Sequence, residues 1–184
     1  RSLTLDPGAR VLDVACGTGD LCEDLRAAGY APVGVDLSAG MLAHARTAAP
    51  LVLADALHLP VRTGSVDGAV SGFALRNFVS LPPLVRELAR VLRPGGRIAL
   101  LDVATPSHPA LRFGHQLYFG RVVPVIGAAL SDAAAYRYLP RSVAYLPPTA
   151  ELLGLIRGEG FSAVERHTLS GGITQLLTAT RDPR

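Results

Sequence analysis

The 184-residue chain contains no tryptophan and no lysine, one methionine and two cysteines. Two cysteines, Cys16 and Cys22, cannot build a disulfide framework, which points to a reducing cytoplasm. Without lysine there is no G-K-[ST], so a phosphate-binding P-loop is excluded. No apolar run reaches the ~18 residues of a membrane-spanning helix, and nothing resembles a signal peptide. Charged residues make up only 18% against 49% hydrophobic, which excludes a disordered chain. All 18 basic residues are Arg, and with 19 Gly and 14 Pro they read as the bias of GC-rich coding DNA. No window concentrates them as a nucleic-acid patch would, so no nucleic-acid partner is expected. His44, His58, His108 and His167 have no partners at ligand spacing, so no metal site is expected.

What is present is a strand–helix rhythm. Residues 10–15 (RVLDVA), 32–36, 51–54, 66–71 and 97–103 are short apolar runs that read as strands. Between them lie helices over 20–28, after Ser38 and after Ser80, both good N-caps. Pro94-Gly95-Gly96 is expected to end the third of these helices. This alternation implies parallel strands joined by crossovers, with both sheet faces covered. A further helix is expected over 149–160, then an antiparallel hairpin of 163–169 and 173–180 joined at Gly171-Gly172. Residues 106–150 break the rhythm and hold six of the ten Phe and Tyr, with four Arg against one acid. They read as a mostly helical insertion on the substrate side of a single domain spanning 1–184. The net charge of +3 comes entirely from residues 106–184, since residues 1–105 balance ten Arg with ten acids. A modest affinity for anionic lipid headgroups is the economical reading.

The informative stretch is LDVACGTGD, residues 12–20. A strand ends in a glycine-rich turn that opens a helix, where free N–H donors await a ligand. Seventeen residues after Gly19 comes Asp36, at the end of the second strand, placed to accept from both hydroxyls of a ribose. The dinucleotide fingerprint needs a third glycine, and Cys22 stands there. Asp13 and Asp20 are poor neighbours for a pyrophosphate but suit a cationic ligand. S-adenosylmethionine, with its amino group and sulfonium, is therefore the expected cofactor. Cys16 lines the methionine pocket by position alone, and Cys22 reads as a small core residue.

Asp13 to Gly19 is similar to the E/D-x-x-x-G-x-G motif of class I methyltransferases, and GVDLSAGML (34–42) and ADALHLP (54–60) look like their second and third motifs. The resemblance implies a Rossmann-like α/β fold with a seven-stranded, mostly parallel sheet. It also implies that Asp13, Ala15, Gly17, Thr18 and Gly19 hold the methionine moiety, Asp36 with Leu37 the ribose, Met41 the adenine face, and Asp55 with Ala56 the adenine edge. FALRNF (73–78), SDAAAYRYLPRSV (131–143) and the ending from Glu159 resemble the ubiquinone/menaquinone biosynthesis C-methyltransferases. Gly72 stands where that family has a small hydroxyl residue meeting the cofactor, and Ala74 where it has Gly. That family also has a helical lid before its first strand, which this sequence, starting at Arg1, is expected to lack.

The reaction so implied is methylation of a ring carbon of a demethylmenaquinol or related demethylquinol. Gly72 and Phe73 then meet the cofactor, and Arg76 and Asn77 stabilise a phenolate or position water. The rival for Arg76 is that it ties down its loop. Arg itself, with a pKa above ~12, is no base. His115 and Tyr118 are candidates to take the proton, and Tyr136, Arg137 and Tyr138 to touch substrate. Asp102 is either a pocket residue or a helix cap. Expected partners are the quinol and a weak peripheral contact with the inner face of an anionic membrane, and a homodimer is allowed. The alternatives are a paralogue methylating another aromatic or polyketide, and a non-catalytic S-adenosylmethionine-fold subunit of a biosynthetic complex.

Overall fold

The computed structural model describes residues 3–104 and 146–183. Seven strands are formed: β1 (Arg10–Val14), β2 (Ala31–Asp36), β3 (Leu51–Leu53), β4 (Val66–Gly72), β5 (Leu92–Val103), β6 (Phe161–Leu169) and β7 (Thr174–Arg181). Among the described residues four α-helices accompany them: α1 (Asp20–Ala27), α2 (Ala39–Ala43), α3 (Leu81–Val91) and α4 (Thr149–Gly158). The strands join in one sheet in the order β3-β2-β1-β4-β5-β7-β6. The first five strands pair in parallel. β7 runs antiparallel to both β5 and β6. The expected sheet and closing hairpin are thus observed; the expected insertion lies, from 106 to 145, outside the described residues.

Burial explains the strand sequences. β4 is buried along its whole length save Gly72, as a central parallel strand with both faces covered must be. On one face Leu84 and Leu88 of α3 and Leu152 and Ile156 of α4 pack on Ile98, Leu100 and Leu177. On the other, Leu25 of α1 packs with Val11, Val70 and Ala99. Each such side chain contributes about 1.5–3 kcal/mol by leaving water. Among the described residues no helix is long and apolar enough to cross a membrane.

Several boundaries differ from expectation. Pro94-Gly95-Gly96 does not separate helix from strand: β5 begins at Leu92, directly after α3. Val66 pairs with Leu92 and Gly68 with Arg97, so the residues between bulge out of the ladder. Asp67 holds that bulge, accepting from Arg10 N at 2.7 Å and pairing with Arg93 Nε at 3.0 Å. Ser38 caps α2 through Met41 N at 3.3 Å, but Ser80 makes no side-chain cap to α3. There Pro82 and Pro83 remove the N–H groups a cap would serve. The hairpin turns through Ser170–Gly172, and its strands are Phe161–Leu169 and Thr174–Arg181.

Candidate active site

At the carboxyl ends of the parallel strands lies a cavity of about 610 Å³. Its floor is the turn after β1. Gly17 and Gly19 take φ of +56° and +80°, which only glycine adopts without strain. A Cβ on Gly17 would sit 3.1 Å from Met41 Cε, and one on Gly19 would strike Thr47. Ala15 and Phe73, the first residues past β1 and β4, both take φ +58° despite carrying side chains. Such backbone strain, about 1–3 kcal/mol per residue, concentrates at functional sites.

Asp36 ends β2 inside the cavity wall. Its Oδ2 accepts from Gly17 N and its Oδ1 from Ser38 N, both at 2.8 Å. Each oxygen keeps a lone pair for a ligand hydroxyl. Leu37, Met41, Asp55 and Ala56 line the same wall, with Asp55 Oδ1 accepting from Leu57 N at 2.9 Å. Ala15, Thr18, Gly72 and Phe73 also line the cavity. Two expected cofactor residues do not line the cavity: Gly19 is the N-cap of α1, and Asp13 lies beneath the turn.

Asp13 is fully buried, and its Oδ1 has no hydrogen-bond partner. Its Oδ2 accepts from Cys22 Sγ at 3.3 Å. Burial, opposed by the Cys22 hydrogen bond and reinforced by the Asp36 charge, pushes its pKa up to about 6. A buried, half-satisfied carboxyl under the turn is a fitting floor for a positively charged ligand. Together with Asp36, it makes the residues present suit S-adenosylmethionine.

Across the cavity, Asn77 lines the wall but Arg76 does not. The Arg76 side chain is 9% exposed, and Nη1 meets fully buried Asp102 Oδ1 at 2.5 Å. Arg76 N also donates to Asp102 Oδ2 at 3.2 Å. The guanidinium stands 6.0 Å from the Phe73 ring centre, and Arg76 Nε is unpartnered. Among the described residues Asp102 ties the loop after β4 to the end of β5; the segment it is a candidate to cap lies outside them. Cys16, Val35, Ala54, Ala74, Phe78 and Val79 also line the cavity; all but Val79 fall within the motifs, and Val79 carries no signal in the sequence. His115, Tyr118, Tyr136, Arg137 and Tyr138 lie outside the described residues.

This geometry fits a nucleoside cofactor with a cationic tail, and the comparisons decide the family. The profile of the ubiE/COQ5 methyltransferase family matches residues 2–181. The chain belongs to the ubiE/COQ5 methyltransferase family. It is an S-adenosylmethionine-dependent methyltransferase. The demethylmenaquinone methyltransferase of Roseiflexus castenholzii is 40% identical over 94% of this chain and 76% of its own length. The ubiquinone/menaquinone biosynthesis C-methyltransferase of Syntrophotalea carbinolica is 38% identical over 98% of this chain and 80% of its own. Among solved structures, Haemonchus contortus phosphoethanolamine N-methyltransferase 2 with S-adenosyl-L-methionine matches with a TM-score of 0.72 at 15% identity, over all of this chain and 51% of that one. The [4+2]-cyclase SpnF matches at 0.73 and 18%, over all of this chain and 78% of that one. These two likenesses bear on the ubiE/COQ5 member's fold alone.

Proposed function

We propose that this ubiE/COQ5 family member methylates a ring carbon of a demethylmenaquinol-type hydroquinone. One observation carries the reading: relatives named for that reaction match at 38–40% identity over 94–98% of the chain. S-adenosylmethionine, when bound, supplies a methyl group made electrophilic by its sulfonium. Asp36 receives the ribose hydroxyls, Met41 lies against the adenine, Asp55 and Ala56 meet its edge, and the turn from Ala15 to Gly19 cradles the methionine. Asp13 offsets the positive charge from below. Such placement of two reactants can supply about 7–11 kcal/mol of a barrier.

On the substrate side, ionising one quinol hydroxyl makes the ring carbon nucleophilic. Asn77 faces the cavity, where its amide donates to the developing phenolate oxygen. Arg76 acts as a positioning residue, since Asp102 already holds it. Its charge steadies Phe73 and the backbone that presents Asn77. His115 and Tyr118 are assigned to the ring proton, and Tyr136, Arg137 and Tyr138 to substrate contact. The cavity mouth is apolar: Leu37 is 71% exposed, Met41 44%, Phe73 43% and Val79 102%. That rim suits a prenyl tail arriving from a lipid surface, with the Arg residues of 106–150 toward anionic headgroups.

The test is direct. The full chain is incubated with S-adenosylmethionine and chemically reduced demethylmenaquinone, and the lipid extract is weighed by mass spectrometry. A gain of one methylene on the ring supports the reading. No gain, with cofactor bound normally, turns the assignment to another aromatic acceptor.

A further inference from the structure

Beneath the turn lies a side-chain cluster that methyl transfer does not use. Asp13 faces Gly34 in the β1–β2 register, and a Cβ on Gly34 would come within 2.7 Å of Cys16 Sγ. Cys22, in the first turn of α1, points its Sγ at Asp13 Oδ2, 3.3 Å away. Asp13, Cys16 and Cys22 thus converge over a residue with no side chain. The two thiols flank the Asp13–Gly34 pair, Cys16 at Gly34 and Cys22 at Asp13, and the neighbouring Cys16, then burial, pushes the Cys22 thiol up. Both cysteines are free. Cys22 is fully buried, whereas Cys16 is half-buried and lines the cavity. No group of His, Cys, Asp and Glu among the described residues is arranged to hold a metal ion, so the cluster calls for another chemistry.

We propose that Cys16 and Cys22 form an oxidation site in which a small peroxide, entering through the cofactor cavity, joins them as a disulfide. Peroxide transfers one oxygen to Cys16 sulfur: an S–O bond forms, the O–O bond breaks and water leaves. Cys22 sulfur then attacks Cys16 sulfur, forming S–S as S–O breaks. The Cys22 proton passes to Asp13 and on to the departing hydroxide, which leaves as a second water. Two thiols lose two electrons and peroxide gains them. The order follows from access: peroxide reaches Cys16, while buried Cys22 stays protonated until a sulfenic acid appears beside it. Asp13 Oδ2, which already accepts from Cys22 Sγ at 3.3 Å, is placed to take that proton. The bridge pulls on the turn itself, because Cys16 O accepts from Gly19 N at 2.9 Å and Cys16 N donates to Val35 O at 3.1 Å. Oxidation and cofactor binding therefore compete for one turn.

The experiment treats the folded full chain with equimolar hydrogen peroxide, alkylates it under denaturing conditions, and weighs the tryptic peptide that carries both cysteines. Expected is a peptide about 2 Da lighter that escapes alkylation, restored by dithiothreitol. Saturating S-adenosylhomocysteine should slow its appearance at least about tenfold, the effect of covering the entry route. Cys22→Ala should abolish the loss and leave Cys16 as sulfenic acid, trapped by dimedone. Calorimetry on the bridged protein should show cofactor affinity lowered at least about tenfold, recovering on reduction. An unbridged wild type whose Cys16 is over-oxidised while Cys22 still alkylates overturns the proposal. So does a bridge that forms at an unchanged rate under the cofactor product.

Discussion

β1 and β4 lie side by side, and each leaves the sheet through a residue at φ +58°, Ala15 and Phe73. The two exits are secured differently. After β1, Asp36 accepts backbone N–H groups from Gly17 and Ser38, so the side chain is anchored with a lone pair left on each oxygen. After β4, Asp102 is consumed by the Arg76 guanidinium and by the backbone N–H groups of Arg76 and Val103. On the proposed function, one acid is a recognition group held in place; the other is a fastening. Neighbouring parallel strands thereby divide labour between binding a cofactor and shaping the wall opposite it.

If that division is right, the largest effect falls on the fastening. Asp102→Ala leaves a buried Arg76 unpaired and should cost about 3–5 kcal/mol of stability in urea unfolding. Arg76→Met with Asp102→Leu should recover most of it. Next, Asp36→Ala removes two charge-assisted hydrogen bonds to the ribose, each worth about 1.5–3 kcal/mol. Cofactor affinity should fall roughly 100-fold or more by calorimetry, while the melting curve moves little. Near-native affinity would falsify the recognition role.

Asp13→Asn sharpens the contrast through pH. The carboxyl rises from 3.8 to about 6 on folding, so the folded state holds the proton more tightly than the unfolded state. The charged form is the costly one, and stability is lost as pH climbs from about 4 to 6 and stays lost above. Asp13→Asn should therefore raise stability at pH 7.5 by roughly 1–3 kcal/mol and leave it unchanged near pH 3. Cofactor affinity should fall, because the negative floor is gone. A variant no more stable than the parent at pH 7.5 contradicts the buried-charge account. Smallest of all, Val79→Ser trims the exposed rim after β4. It should raise KM for a long-tailed quinol about two- to fivefold, the size of one lost apolar contact, and leave a tail-less quinol unaffected.

Much of this was legible because it is local. The Asp13-to-Gly19 turn and the spacing to Asp36 announce the cofactor end, and ten of the twelve residues expected there line the cavity. What was not legible depends on strand order. Arg76 meets Asp102 across 26 positions only because β4 and β5 are neighbours, and that contact changes Arg76 from a group facing substrate to one behind the wall. The start of β5 was hidden by Pro94-Gly95-Gly96, a turn signal that the fold uses as a bulge. Asp13 was placed in the pocket by its motif, but strand alternation turns it under α1, toward Cys22.

Sheet order also sets a timetable for folding. β1 to β4 meet through short crossovers, but β5 gains its second partner only when β7 returns to it. Gln175 Nε2 reaches Val103 O across 72 positions. Closing so long a loop is slow, and until then β5 presents a row of unsatisfied backbone groups beside Ile98 and Leu100, which are buried in the finished fold. An open edge of that kind recruits other chains. The interval before β7 docks is thus when nascent copies stick to one another, and a peptide matching residues 174–181, added during refolding, should compete for that edge and slow the recovery of the native sheet.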